Sequence, residues 1–189
     1  CQQVHFIGKC ELGDNRGGRP SEEEPSYVEP YRLAHVKLVN CTIGDRVIID
    51  SVRDCISHYD IGDDVVIHDI AALKVTGETS FGNGHLVEVL NETGGREVPI
   101  CDILTAQTAY MLAMYRHDKE LQAALSKLVE EYTASVRSDR GTIGESSQIR
   151  HCGIMTNIKV GPHSSIIGAS VLENGSVNST ALSPTQIGY

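Results

Sequence analysis

Tryptophan is missing from the 189 residues and phenylalanine occurs twice, so any core this chain buries is built from aliphatic side chains, not packed aromatics. That favours ladders of isoleucine and valine. The six cysteines, at positions 1, 10, 41, 55, 101 and 152, include no Cys-x-x-Cys pair and no finger spacing, which excludes a zinc ribbon or a thioredoxin-type dithiol. Reduced thiols are expected, with no metal site and no evident cofactor. Lys and Arg number 16 against 25 Asp and Glu, a formal net charge of -9, and this is the wrong sign for a nucleic-acid surface. No apolar run approaches the roughly 20 residues of a membrane span. A soluble, cytoplasmic body is therefore expected. Cys1 stands where an initiator methionine would be; it fits the cut edge of a longer chain better than an acylated lipoprotein terminus, because no flexible polar tether follows it.

What is present is a repeat. The stretch CTIGDRVIIDSVRDCISHYDIGDDVVI carries Ile43-Gly44-Asp45 and, eighteen residues later, Ile61-Gly62-Asp63. A finer period of six runs through Ile43, Ile49, Cys55, Ile61, Ile67 and Leu73. At 40% apolar composition, six such hits at a chosen spacing arise by chance about 0.4% of the time. Six matches neither a helix nor a simple strand alternation, so it points to stacked coils of three short sides. Glycine and aspartate after each inward aliphatic suit a corner, where the backbone turns. A second tract runs from Ile143-Gly144-Glu145 through Ile149, Ile154 or Met155, Val160-Gly161-Pro162, Ile166 and Leu172, then loosens through VLENGSVNS. Weaker echoes are Ile7-Gly8 and Leu12-Gly13-Asp14. Gln186-Ile187-Gly188 looks like the opening of another coil, so the chain is expected to continue into a longer protein or to be capped by other means.

The expected fold is mainly β: a parallel β-helix interrupted by a β-hairpin plus long α-helix insert. The division is 1–73 for the N-terminal segment and first tract, 74–141 for the insert and 142–189 for the second tract, together one structural domain. Arg16 to Pro30, RGGRPSEEEPSYVEP, reads as a surface loop. In the insert, Leu86–Leu90 and Glu97–Ile100 read as strands around a turn at Thr93-Gly94-Gly95. Ile103 to Arg137 carries a helical stripe, either one helix or two broken near His117-Asp118, with Asp102 and Asp118 as candidate N-caps and Gly141 as the stop.

The densest polar stretch is FGNGHLVEVLNETGGREV, Phe81 to Val98. His85 is the candidate proton-transfer group there, and Asn83, Asn91, Glu92 and Arg96 are candidate substrate-binding groups, since a proton shuttle, amides and an anion clamp among glycines suit a pocket. The plainer reading is an ordinary hairpin whose charges face water. His58, His68, His151 and His163 fall at or near corners, and His58 and His163 are further candidate bases. Neither GNG nor TGG is a phosphate loop, because the Lys-Ser/Thr signature is missing.

The segments IGDRVI, IGDDVVI, IGESSQI and VGPHSSI resemble the bacterial hexapeptide-repeat superfamily, whose β-helices are left-handed. FGNGHLVEVLNETGGREV followed by a helix containing Tyr115-Arg116-His117 is similar to a family of long hexapeptide-repeat proteins labelled UDP-N-acetylglucosamine pyrophosphorylase-related. That resemblance implies a left-handed β-helix, a sugar or sugar-nucleotide ligand, and acyl transfer to a sugar or amine with acyl-CoA as a substrate, in a homo-oligomer, commonly a trimer. The competing expectation is a non-catalytic scaffold or assembly module of a larger protein.

Overall fold

The eighteen-residue echo is a pairing register. In the computed structural model, which describes residues 1–20, 26–89, 94–95 and 97–188, Ile43 pairs with Ile61 and Ile49 pairs with Ile67. Among the described residues these strands join a 13-stranded sheet whose paired strands run parallel.

Three inward columns follow from the register. One is Leu33, Ile49, Ile67, Ile149, Ile166 and Ile187; a second is Leu12, Ile43, Ile61, Ile143, Val160 and Val177. The third is Leu38, Ile56, Leu73, Met155 and Leu172. Most members are fully buried, and each large aliphatic withdrawn from water contributes about 1.5–3 kcal/mol. Cys55 is buried beside the third column but is not in it. Ile56 is the residue that pairs with Leu73, so this side is a residue out of step with the six-residue count. In the second tract Met155 is buried and Ile154 faces out.

Corners explain the polar punctuation. Non-glycine residues with φ between 47 and 61° recur in three sets: Arg46, Asp64, Ser146 and His163; His35, Ser51, Asp69 and His151; and Asn40, His58, Asn157 and Asn174. Asn, Asp and His tolerate this left-handed region better than β-branched residues, and none of these positions is β-branched. The Ile-Gly-Asp signal has its own cause. A Cβ on Gly44 would lie 2.7 Å from the Gly62 carbonyl carbon, so only glycine lets adjacent strands approach there. The Asp63 carboxylate accepts the Asp45 backbone N–H at 2.9 Å, and the Asp45 carboxylate accepts that of Asp14 at 2.6 Å.

The chain leaves this sheet after strand Val66–Lys74 and returns at Gly141–Ile143. Between them stand the antiparallel pair Leu86–Val87 and Val98–Pro99 and two helices, α1 (Ala106–Met114) and α2 (Lys119–Val136). The helical stripe is thus broken where Asp118 caps α2 by accepting the Leu121 N–H. Thr105, not Asp102, caps α1. Gly141 is not the helix stop, since α2 ends at Val136 and Gly141 belongs to the returning strand. The hairpin strands are shorter than the hydrophobic runs, and Leu90 and Thr93 lie outside the described residues. Gly18–Pro20 pairs antiparallel with Val28–Pro30, so the expected surface loop contains a small ribbon.

Candidate functional site

The insert is pinned to the sheet at both ends. Thr79 and Ser138 exchange two backbone hydrogen bonds at 2.9 and 3.0 Å, and Arg140 fastens the return. Its guanidinium pairs with the Asp60 carboxylate and donates to the Asn40 carbonyl at 2.9 Å and Thr42 Oγ1 at 3.2 Å. Hydrogen bonding from Arg140 holds the Asp60 carboxyl below its ordinary range. The pair therefore stabilises the fold above about pH 4, and this contribution is lost as pH falls through the depressed value. With both side chains a third or more exposed, it is worth about 1 kcal/mol. Thermal melts at pH 7 and pH 3 should show Asp60→Asn below wild type at pH 7 and the gap narrowed at pH 3.

Between those pins, residues 79–85 fold back over the sheet edge. Phe81, at φ 52°, drives its ring into the main hydrophobic core, and its carbonyl accepts from Ser176 Oγ at 2.9 Å. A bulky residue in that region is strained by about 1–3 kcal/mol, and burial of the ring offsets the cost. Gly82 and Gly84 follow, both with positive φ and both wedged: a Cβ would meet the Asn174 carbonyl oxygen at 2.5 Å and the Thr133 side chain at 2.9 Å, respectively. The Phe81-Gly82-Asn83-Gly84-His85 loop is clamped between α2 and strand Val171–Val177.

Asn83 holds the loop closed. It is 5% exposed. Its amide nitrogen donates to the Ser80 carbonyl at 2.8 Å and to Ser176 Oγ at 3.4 Å, while its oxygen accepts the Asp102 N–H at 2.7 Å. Asp102 in turn accepts from the Tyr132 phenol at 2.5 Å, and this hydrogen bond, with burial, pushes the phenol up to about 12. Burial also raises the Cys101 thiol, which keeps it protonated and poorly nucleophilic.

The result is a cleft of about 930 Å³ between the loop, the end of α2 and residues 173–176. That volume is in the range of small-molecule sites. His85, Arg137 and Glu173 line it, all exposed, and among the described residues none has its side chain tied up in a hydrogen bond or ion pair. A potential base, a cation and a carboxylate thus share one concavity.

Of the residues singled out from the sequence, His85 and Asn83 reach this cleft, and Asn83 spends its amide on the loop. Asn91, Glu92 and Arg96 lie outside the described residues. His58 is elsewhere, in a corner. Asn40 Oδ1 accepts the Lys9 N–H, so its Nδ2 faces His58 Nε2 at 3.1 Å; the imidazole proton must then sit on Nδ1, directed at Ser57 Oγ at 2.8 Å. Both ring nitrogens are thus engaged. His163 occupies the corner set of Arg46, Asp64 and Ser146, its backbone N–H donating to the Glu145 carbonyl at 2.8 Å. Neither lines the cleft. Arg137 and Glu173 were not singled out as site residues; Arg137 figured only as the end of the helical stripe, and Glu173 only within the loosened repeat VLENGSVNS. Among the described residues no group of three or more His, Cys, Asp and Glu side chains is placed to hold a metal. No described helix is long and apolar enough to cross a membrane.

The family model described as "Domain of unknown function (DUF4954)" matches residues 1–189. The chain belongs to this family. An uncharacterised protein of Treponema pallidum (strain Nichols) is 31% identical over 176 residues, covering 86% of this chain and 24% of that protein. The chain therefore spans about a quarter of that relative's length. No solved structure matches. The family match overturns the resemblance to the hexapeptide-repeat superfamily and to its pyrophosphorylase-labelled relatives, neither of which is among the matches. The physical reason is that aliphatic columns and small corner residues are demanded by closely stacked parallel strands as such. They report packing and not descent.

Proposed function

We propose that the cleft binds a small anionic or sugar-containing ligand and that the protein transfers an acyl group from acyl-CoA to a hydroxyl or amine. The observation that carries this reading is the convergence of uncommitted His85 and Arg137 side chains on a cavity of about 930 Å³. Arg137 suits a phosphate or carboxylate. His85 serves as general base: it takes the proton of the acceptor hydroxyl or amine as that atom bonds to the acyl carbon. The thioester C–S bond then breaks and the sulfur leaves with the proton.

Calorimetric titration with acetyl-CoA and UDP-N-acetylglucosamine tests this. At least one ligand should bind. Arg137→Ala should weaken it tenfold or more, a loss of about 1.4 kcal/mol, and His85→Ala should retain binding while transfer stops. Failure of wild type to bind either ligand would sink the proposal.

The scaffold proposed for the site is a left-handed triangular β-helix. Three inward columns, three corner sets at positive φ and a step of seventeen or eighteen residues support it, and a crystal structure reads its hand directly. A second reading, an assembly module that forms a homotrimer or docks within a larger protein in the cytoplasm, is favoured by apolar side chains left in solvent around α1: Ile103, Tyr110, Met114 and Tyr115.

A further inference from the structure

A second cavity, of about 580 Å³, opens between α2 and the short strand pair. Gly84, Thr133 and Arg137 line both cavities, so the two spaces meet at a shared wall. Thr133 is 9% exposed and its hydroxyl has no hydrogen-bond partner among the described residues, so a buried polar group is left unsatisfied at that junction.

The second lining differs in kind from the first. Leu86, Pro99, Val129 and Ala134 give it an apolar surface, and Leu86 is left 58% exposed. Two carboxylates, Glu97 and Glu130, complete it. The Gly95 N–H donates to Glu97 Oε1 at 2.8 Å and is the main reason that its carboxyl lies below the ordinary range. Glu130 makes no ion pair among the described residues. Arg116 donates to the Glu97 backbone carbonyl at 3.3 Å, and Arg137 stands at the shared wall. Glu130 and Arg137 are seven residues apart along the helix direction, about 10 Å at 1.5 Å per residue, so this cavity is negative toward one end and positive at the other.

We infer that the second cavity is the acceptor half of the site and takes an alkylamine with an uncharged far end. The ammonium sits against Glu97 and Glu130, the methylenes lie along Leu86 and Val129, and a hydroxyl points to the wall beside Arg137, where a second ammonium would be repelled. This rests on the first cavity being the donor side, and the two claims separate experimentally.

The probe is 5-aminopentan-1-ol, titrated by NMR, with pentanoate and pentan-1-ol as controls. The aminoalcohol should bind at least tenfold more tightly than either control. Glu97→Gln and Glu130→Gln should each weaken it about fivefold, while leaving acetyl-CoA titration unchanged. Glu130 is an exposed helix residue, so its replacement tests the site without threatening the fold. Equal binding of pentanoate, or aminoalcohol binding indifferent to Glu130→Gln, overturns the inference. Absence of acetyl-CoA binding together with carboxylate-dependent aminoalcohol binding would reject the donor reading alone.

Discussion

Tyr59→Ala should cost about 4–8 kcal/mol and lower the melting temperature by roughly 10 °C or more. Tyr59 is fully buried. It pairs with Gly141, where the chain returns from the insert. Its hydroxyl donates to the Ile158 carbonyl at 2.8 Å and accepts the Ile158 N–H at 3.3 Å, so one phenol satisfies two backbone groups. Removing a large aromatic from a core costs about 3–5 kcal/mol, and leaving those backbone groups unpaired adds about 1–3 kcal/mol. Tyr59→Phe isolates the second term and should lose about 1–3 kcal/mol. The fit is tight from the other side as well. A Cβ on Gly141 would fall 2.4 Å from Tyr59 Cε1, which explains a glycine at the point of return. Denaturant titration of the two tyrosine variants checks this; a Tyr59→Phe variant as stable as wild type would show that the hydroxyl contributes nothing.

Asn83→Ala should behave differently, costing about 2–3 kcal/mol locally by stranding the Asp102 N–H and the Ser80 carbonyl, while the sheet keeps most of its stability. Hydrogen exchange should rise across residues 79–85 and 100–102 and stay unchanged in strands Ile48–Val52 and Val66–Lys74. Ligand affinity should fall with it, because the cleft loses its shape. If Asn83 instead touched ligand directly, affinity would drop with no change in exchange, and the reading of Asn83 as a loop clasp would be wrong.

The sheet was legible because its columns are spaced regularly in sequence, and a period survives translation into space. Cys55 shows the limit of that reading: six-residue counting picks it, whereas pairing picks Ile56, because sides turned at a corner do not all hold the same number of residues. The break at Asp118 was legible from its capping chemistry. Asp102 was misread because a carboxylate ahead of a helix looks like a cap, and only the fold brings Tyr132 to it. The cleft was half legible. Phe81 to His85 announce a tight polar loop, but Arg137 and Glu173 come from the end of a helix and a loosened strand, and no local spacing links them. His58 and His163 attracted notice as histidines, yet both are residues that a left-handed backbone corner accepts.

The register across the insert has a kinetic side. Asp69 and His151 meet although they are 82 residues apart, where the corresponding positions before the insert, His35, Ser51 and Asp69, are separated by sixteen and eighteen. Closing the longer loop costs only about 1 kcal/mol more, since the entropy grows with the logarithm of length. Strands before residue 75 pair with one another across at most 32 residues, whereas those after residue 141 reach back across the insert. A first tract already folded would serve as a template, and the cleft, lined by residues of the insert and the second tract, forms only once the second tract has added.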